Sequence, residues 1–149
     1  MSTWVEMRNR YPWLPPDPSD EWSPIGGGWR HRTAKVGDSA YIGTMALICE
    51  DVHIGERVVI CTGVVVHDLV VVFDGAIVQA WTTINKRATI GKGAIIRWRT
   101  IVEEGATFTE EKWRTALNVA ISWTGYIFLA STPLGSGRNK KRLLRLKHG

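Results

Sequence analysis

Large apolar residues recur at every sixth position from Val36 to Phe108. The fifth position of each intervening hexad is small or β-branched, from Ala40 to Ala106. An α-helix needs apolar residues three and four apart and a half-buried strand needs them two apart, so a strict period of six fits neither. The pattern predicts short strands separated by corners, and residues 36–107 hold twelve such hexads without an insertion.

The hexad also predicts which side chains face the core. In a strand, side chains two apart share a face, so the fifth and first positions point inward while the sixth and second point outward. The third and fourth positions form the corner, where Gly63, Gly75, Gly93 and Gly105 supply a permissive backbone. Three hexads would close one coil, which predicts about four coils stacked at roughly 4.8 Å.

Three segments carry a resemblance to a known family. Val36-Gly37-Asp38-Ser39-Ala40, Ile54-Gly55-Glu56-Arg57-Val58 and Ile90-Gly91-Lys92-Gly93-Ala94 resemble the motif of the hexapeptide-repeat superfamily. The resemblance implies an all-β fold, a left-handed parallel β-helix, and the left hand rests on it alone. The superfamily includes trimeric acyltransferases, γ-class carbonic anhydrases and non-catalytic proteins, so the fold does not decide the function.

Residues 1–35 are expected to form an N-terminal cap. They contain Trp4, Trp13, Trp22 and Trp29, five of the six prolines, and the run 26–28 of three glycines. Such a composition predicts an irregular segment without a regular helix, whose indoles pack on a neighbouring surface. The glycine run and the following residues also resemble the openings of short bacteriophage hexapeptide-repeat proteins, which implies a virion-associated or cytoplasmic location.

The chain beyond the repeat divides into two predicted segments. In residues 109–137, Thr109 can cap a helix with apolar residues at helical spacing. A membrane span is the rival interpretation because residues 115–137 carry no charge, although several polar residues and Pro133 make it the less favoured one. Residues 138–149 form a basic tail whose cations are Arg138, Lys140, Lys141, Arg142, Arg145 and Lys147.

Charge and cysteine content narrow the class of protein. Removing the six cations of the tail from the net charge of +5 leaves −1 for residues 1–137, so the basicity belongs to the tail. The tail is interpreted either as solubilising or as contacting an anionic partner, namely nucleic acid, an anionic membrane or an acidic protein groove. Two cysteines are too few for a disulfide framework, and the first residues do not resemble a secretion signal, which favours the cytoplasm.

Two adjacent faces of the predicted prism are apolar on the outside as well as the inside. An apolar stripe of this length needs to be covered, and a homotrimer around one axis is the favoured interpretation. The alternative is a monomer in which the two flanking segments cover both faces. The predicted interface residues are Tyr41, Val59, Ile77 and Ile95 on one face, Leu47, Val65 and Ile101 on the next, and Trp81 and Trp98 at their shared corner.

His67 is the strongest catalytic candidate. Its column places Cys49 one coil before it and Asn85 one coil after it, which are residue types found in nucleophilic sites. The alternative interpretation is a ladder of outward side chains without chemistry. His31 precedes the first coil and His148 lies in the tail, so neither is well placed.

The two enzyme classes of the superfamily are matched incompletely. The resemblance to acyltransferases implies His67 as general base at a subunit interface with coenzyme A as the acyl carrier, but no insertion loop interrupts the repeat. The γ-class carbonic anhydrases place zinc-binding histidines five residues apart, and Thr62 stands where the partner of His67 would be. We therefore expect no metal and no cofactor, and a non-catalytic trimeric structural or binding module, with the acyltransferase as the alternative.

Overall fold

The computed structural model describes residues 2–108, of which residues 35–108 form stacked parallel coils and the residues before them form a short helix and a hairpin. Thirteen two-residue strands follow one another at six-residue intervals, and they form three parallel sheets in a β-helix of about four turns. The twelve-hexad prediction and the all-β fold class are therefore confirmed. We name the sheets A, B and C, and each coil passes from B to C to A.

Sheet B opens each coil. Its strands pair in parallel with partners eighteen residues apart, so that Val36 lies beside Ile54 and Ile90 lies beside Phe108. The strands of sheet B are β3 (Lys35–Val36), β6 (His53–Ile54), β9 (Val71–Val72), β12 (Thr89–Ile90) and β15 (Thr107–Phe108).

Sheet C follows sheet B and presents the first of the two apolar outer columns. It has the same eighteen-residue register, with Ile77 between Val59 and Ile95. The strands of sheet C are β4 (Tyr41–Ile42), β7 (Val59–Ile60), β10 (Ile77–Val78) and β13 (Ile95–Ile96).

Sheet A closes each coil and is extended by an N-terminal hairpin. The hairpin joins antiparallel strands β1 and β2, and β2 then pairs in parallel with β5 of the first coil. The strands of sheet A are β1 (Trp22–Ile25), β2 (Gly28–His31), β5 (Leu47–Ile48), β8 (Val65–Val66), β11 (Thr83–Ile84) and β14 (Ile101–Val102).

The core fills the inside of the prism with the first and fifth positions of the hexads. Ile60, Ile84 and Ile96 are fully buried at the first position, and Ala76 and Ala94 are fully buried at the fifth. Small residues fit there because the fifth position directly follows the corner, where two sheets of the prism meet. The alternation of large and small side chains explains why the period is strict.

The corners are held in the left-handed backbone region. Gly63, Gly75, Gly93 and Gly105 have φ between 69° and 74°, as the sequence predicted. Non-glycine residues adopt the same conformation at other corners, for example Leu69 at 63° and Trp81 at 62°. Carboxylates stabilise two corners of successive coils: Asp68 Oδ1 accepts the backbone N–H of Glu50 at 3.2 Å, and Asp74 Oδ1 accepts that of Glu56 at 2.9 Å.

The N-terminal segment is more regular than predicted. Helix α1 (Trp4–Arg10) begins at a capping box in which the hydroxyl of Thr3 accepts the backbone N–H of Glu6 and the carboxylate of Glu6 accepts that of Thr3. The prediction that this segment contains no regular helix was wrong, because all the prolines that suggested it come after Arg10, where helix α1 ends.

Helix α1 and the residues after it cover the outer surface of sheet A. A second apolar cluster unites Trp4, Met7, Tyr11 and Leu14 of this segment with Trp29, Leu47, Cys49 and Val65 of sheet A and its corner. The hydroxyl of Tyr11 donates to the carbonyl of Met45 at 2.9 Å, and the indole N–H of Trp29 donates to the carbonyl of Ser2. The cap therefore lies along one face of the prism as well as across its end.

Other predicted segments lie outside the described residues, namely the C-terminal helix and apolar segment of 109–137 and the basic tail of 138–149. Within residues 2–108, no helix is long and apolar enough to cross a membrane.

Candidate functional site

A pocket of about 370 Å³ opens where the N-terminal segment meets the corner between sheets A and B. We call it the corner pocket. Helix α1 and the hairpin bring two indoles to this corner, and three successive coils supply the polar groups. The residues that line it are Trp13, Trp22, Cys49, Glu50, His67, Asp68 and Lys86.

His67 follows strand β8 and lies half-buried under Trp13. The two ring centroids are 5.9 Å apart and the planes are inclined by 30°. Burial lowers the pKa of His67, and Lys86 lowers it further while Asp68 opposes both. The imidazole is therefore neutral at pH 7, since its ordinary pKa is already below 7.

Cys49 and Asn85 lie at the same corner as His67, one coil before it and one coil after it. The backbone N–H of Cys49 donates to Val66 and that of His67 donates to Ile84, so the three residues follow the predicted column. However, among residues 2–108 no side-chain hydrogen bond joins His67 to Cys49 or to Asn85. A base that activates a nucleophile needs such a contact, and the column alone does not provide it.

Cys49 is a poor nucleophile in this position. Its side chain is only 2% exposed, and burial raises the pKa of its thiol far above the usual value, with the carboxylates of Asp68 and Glu50 adding to the effect. The reactive form of cysteine is the thiolate, so the Cys49 thiol is inert while the N-terminal segment covers it.

This burial predicts the order in which the thiols react with a chromogenic disulfide reagent. In a Cys61→Ser variant, we expect Cys49 to be unreactive in native protein at pH 8 and to react fully once denaturant unfolds the chain. A Cys49→Ser variant is the control, because Cys61 is partly exposed on sheet C. Rapid labelling of native Cys61→Ser protein would contradict the packing of the N-terminal segment on sheet A.

Acidic groups dominate the polar lining of the corner pocket. Glu50 is exposed and Asp68 is half-buried, while Lys86 is the one cation that residues 2–108 contribute to the lining. Beside the pocket, buried His31 places its Nε2 atom 3.7 Å from the carboxylates of both Glu21 and Glu50. His31 was not favoured as a site residue because it precedes the first coil, yet it lies next to the candidate site.

The predicted interface residues divide into covered and uncovered groups. Leu47 is fully buried and Val65 nearly so, because the N-terminal segment of the same chain packs over them. On sheet C the side chain of Tyr41 is 60% exposed. The remaining residues of the group, partly or largely exposed, are Val59, Ile77, Ile95, Ile101, Trp81 and Trp98.

The corner between sheets C and A combines tryptophan with arginine. The guanidinium of Arg10 lies 4.8 Å from the ring centre of Trp81, and that of Arg99 lies 5.6 Å from the ring centre of Trp98. The ring of Trp81 also lies against Gly63, where a Cβ atom would come within 2.1 Å of it. A side chain at position 63 would have to displace the ring of Trp81, which favours glycine there, and the φ of 71° adds to that preference.

A second, shallower pocket of about 280 Å³ lies between sheets B and C near Lys35, His53, Glu56 and Asp74. Its carboxylates already serve the fold, since Asp74 and Glu56 accept hydrogen bonds at the corners. In the described part of the chain, no group of three or more histidines, cysteines or carboxylates could hold a metal ion.

Five of the seven residues that line the corner pocket were not predicted from the sequence as site residues. Glu50 and Asp68 are acidic corner residues for which a solvated role is the ordinary interpretation, Lys86 carried no prediction, and Trp13 and Trp22 were predicted as parts of a cap. The capping box at Thr3 and Glu6 was an available signal for a helix that could carry Trp13 back towards the coils.

No family model, curated protein or solved structure matches this chain.

Proposed function

We propose that this protein is a non-catalytic structural or binding module that assembles as a homotrimer, in the cytoplasm or as part of a virion. The observation that carries the assembly is the contrast between the two apolar faces. Sheet A is covered by Trp4, Met7 and Tyr11, whereas none of the described residues packs over the outer column of sheet C. A second copy is the occupant that closed symmetry supplies most simply.

The proposed interface is narrower than the one expected from the sequence. Leu47 and Val65 are excluded because they are already buried within the chain. What remains is sheet C with Val59, Ile77 and Ile95, continued around the corner by Trp81 and Trp98. An exposed apolar column bordered by two indoles is the kind of surface that protein interfaces use.

The assembly is tested by introducing a charge into the middle of sheet C. We expect purified wild-type protein to have the molar mass of a trimer by light scattering at micromolar concentration, and Ile77→Glu to be monomeric. Burying an unpaired carboxylate costs about 3 kcal/mol or more, which weakens association by roughly two orders of magnitude. Thr89→Glu is the matched control, because Thr89 is an outward residue of similar burial on sheet B.

One result would contradict the trimer, and another would contradict the proposed interface on sheet C. A monomeric wild-type protein would remove the need for a second copy, and sheet C would then be covered by a flanking segment of the same chain. A trimer that persists in Ile77→Glu but dissociates in Thr89→Glu would place the interface on sheet B.

The absence of catalysis is supported by the state of the column residues. Cys49 is buried with a raised thiol pKa, and His67 has no side-chain hydrogen bond to either of its predicted partners among the described residues. The carboxylates of Glu50 and Asp68 also line the pocket, where they would repel the phosphates of coenzyme A.

One observation favours an acyltransferase as the second candidate. His67 is neutral at pH 7 and lines a pocket, so its imidazole could accept a proton from an acceptor hydroxyl or amine. This candidate predicts acyl transfer from a coenzyme A thioester that is lost in His67→Ala while the trimer persists. Equal background rates for both proteins would exclude it and leave the binding module.

A further inference from the structure

The walls of the corner pocket are two indoles that the fold holds in place. Trp13 packs against Tyr11 with a centroid distance of 6.2 Å and leaves 56% of its side chain exposed. Trp22 contacts Trp4 at 5.8 Å and meets His31 edge to face at 5.0 Å. Rings fixed by such packing can offer their faces to a ligand with little loss of conformational freedom.

The charges of the lining determine what kind of ligand these indoles suit. Glu50 and Asp68 each carry one negative charge and Lys86 one positive charge, which leaves −1 for the lining when His67 is neutral. Glu21 adds a further carboxylate just outside, next to His31. Aromatic faces attract cations through their quadrupole, and adjacent carboxylates strengthen that attraction.

We infer that the corner pocket binds an organic cation of the quaternary ammonium type, with the indoles of Trp13 and Trp22 as walls and the carboxylates of Glu50 and Asp68 as counter-charges. The cavity volume of about 370 Å³ suits a small ligand of this class. The inference goes beyond the proposed assembly, because every residue of the pocket comes from one chain. It therefore holds for a monomer as well as for a trimer.

Two other ligand classes fit less well. An inorganic or organic phosphate would meet two carboxylates and only one lysine, so its charge would be opposed. A neutral sugar could stack on an indole and donate hydrogen bonds to the carboxylates, but it would gain little from the net charge. Charge dependence therefore separates the three classes.

The experiment is calorimetric titration of the full chain with choline and, separately, with its uncharged carbon analogue dimethylbutanol. We expect choline to bind and the analogue to bind at least about tenfold more weakly, since only the cation interacts with the ring quadrupoles and the carboxylates. Glucose and inorganic phosphate are titrated in the same way, and neither is expected to bind more tightly than the analogue.

Three substitutions test the assigned roles. Trp13→Ala should weaken choline binding about fivefold and Asp68→Asn by a similar factor, because each removes one attraction. Lys86→Gln should strengthen it by about threefold, because it removes the positive charge of the lining. A gain of affinity cannot arise from a damaged fold, so this variant keeps the test decisive even if Trp13→Ala loosens the N-terminal segment.

Matched controls occur at the other corners. Asp74→Asn changes a carboxylate that accepts a corner N–H as Asp68 does, but at a different pocket. Trp98→Ala removes an indole that is 52% exposed on the far corner. Both should leave choline binding unchanged.

The inference is overturned if choline does not bind, if dimethylbutanol binds as tightly as choline, or if Lys86→Gln weakens choline binding. Tighter binding of glucose would assign the pocket to a carbohydrate, and tighter binding of phosphate would assign it to an anion. The Ile77→Glu protein separates this inference from the proposed trimer. Choline binding to a monomeric Ile77→Glu protein would support the pocket alone, and its loss there would overturn the claim that one chain suffices.

Discussion

Truncation of Ile90 to alanine is expected to lower the free energy of unfolding by about 2–5 kcal/mol. The Ile90 side chain is 0% exposed and lies between Val72 of the preceding coil and Phe108 of the following one. Backbone hydrogen bonds fix the spacing of the coils, so the walls cannot close around the missing methyl groups. The measurement is equilibrium unfolding in urea, followed by circular dichroism.

The neighbouring residue provides the control. Thr89 belongs to the same two-residue strand but points outward and is partly exposed. Thr89→Ala should change the free energy of unfolding by less than about 0.5 kcal/mol, as is usual for surface substitutions. Equal losses for the two variants would contradict the assignment of inward and outward positions on which the fold rests.

Replacement of Gly28 by alanine is expected to lower the free energy of unfolding by roughly 3 kcal/mol. A Cβ atom at this position would lie 2.2 Å from the carbonyl oxygen of Ala46, which is backbone and cannot rotate away. The clash would also disturb the adjacent hydrogen bond from Trp29 N–H to the same carbonyl, 3.0 Å long. Strand β2 would separate from β5, and the hairpin would lose its attachment to sheet A.

Two readouts distinguish this local clash from a general effect of removing glycine. Gly93→Ala is the control, since nothing lies within 4 Å of its Cβ position and the cost of its left-handed backbone is about 1 kcal/mol. In a Cys61→Ser background, Gly28→Ala should also make Cys49 reactive in native protein, because the segment that buries this thiol is released. Unchanged protection of Cys49 would show that the hairpin tolerates the substitution.

The coils could be predicted from sequence because their rule is local and repeated. Every first position from Val36 to Phe108 is large and apolar and every fifth position is small or β-branched, so each hexad independently supports the same period. The corner glycines at 63, 75, 93 and 105 likewise carry their own conformational signal. The left hand of the β-helix stays a prediction because it rests on a resemblance alone. The trimer stays a prediction because it depends on contacts between different copies of the chain.

The N-terminal segment was predicted poorly because its structure depends on contacts with distant residues. Seven residues are too few for a stable isolated helix, so α1 owes its stability to Trp4 and Met7 packing on sheet A. Composition emphasised the prolines and glycines, and the capping box was overlooked. This segment also covers Leu47, so a residue that was predicted to lie at a subunit interface is buried within its own chain.

The candidate site was found only in part for the same reason. His67 and Cys49 could be identified because the eighteen-residue repeat places them in one column. Trp13 and Trp22 join them only after the N-terminal segment has folded over the corner, and both lie outside the repeat that contains His67. The repeat therefore predicts only those residues of the pocket that belong to the coils, and it carries no signal for the residues that the N-terminal segment contributes.

Strand β1 affects whether copies of this protein can associate end to end at the edge of sheet A. The backbone N–H of Trp29 points away from β1 and donates to the carbonyl of Ala46. Pro24 and Trp29, which lie opposite each other in the antiparallel hairpin, are therefore a non-hydrogen-bonded pair. The nitrogen of Pro24 therefore faces the open edge of sheet A, where it has no hydrogen to donate. A further chain cannot continue the ladder there, which disfavours end-to-end growth into filaments at this edge.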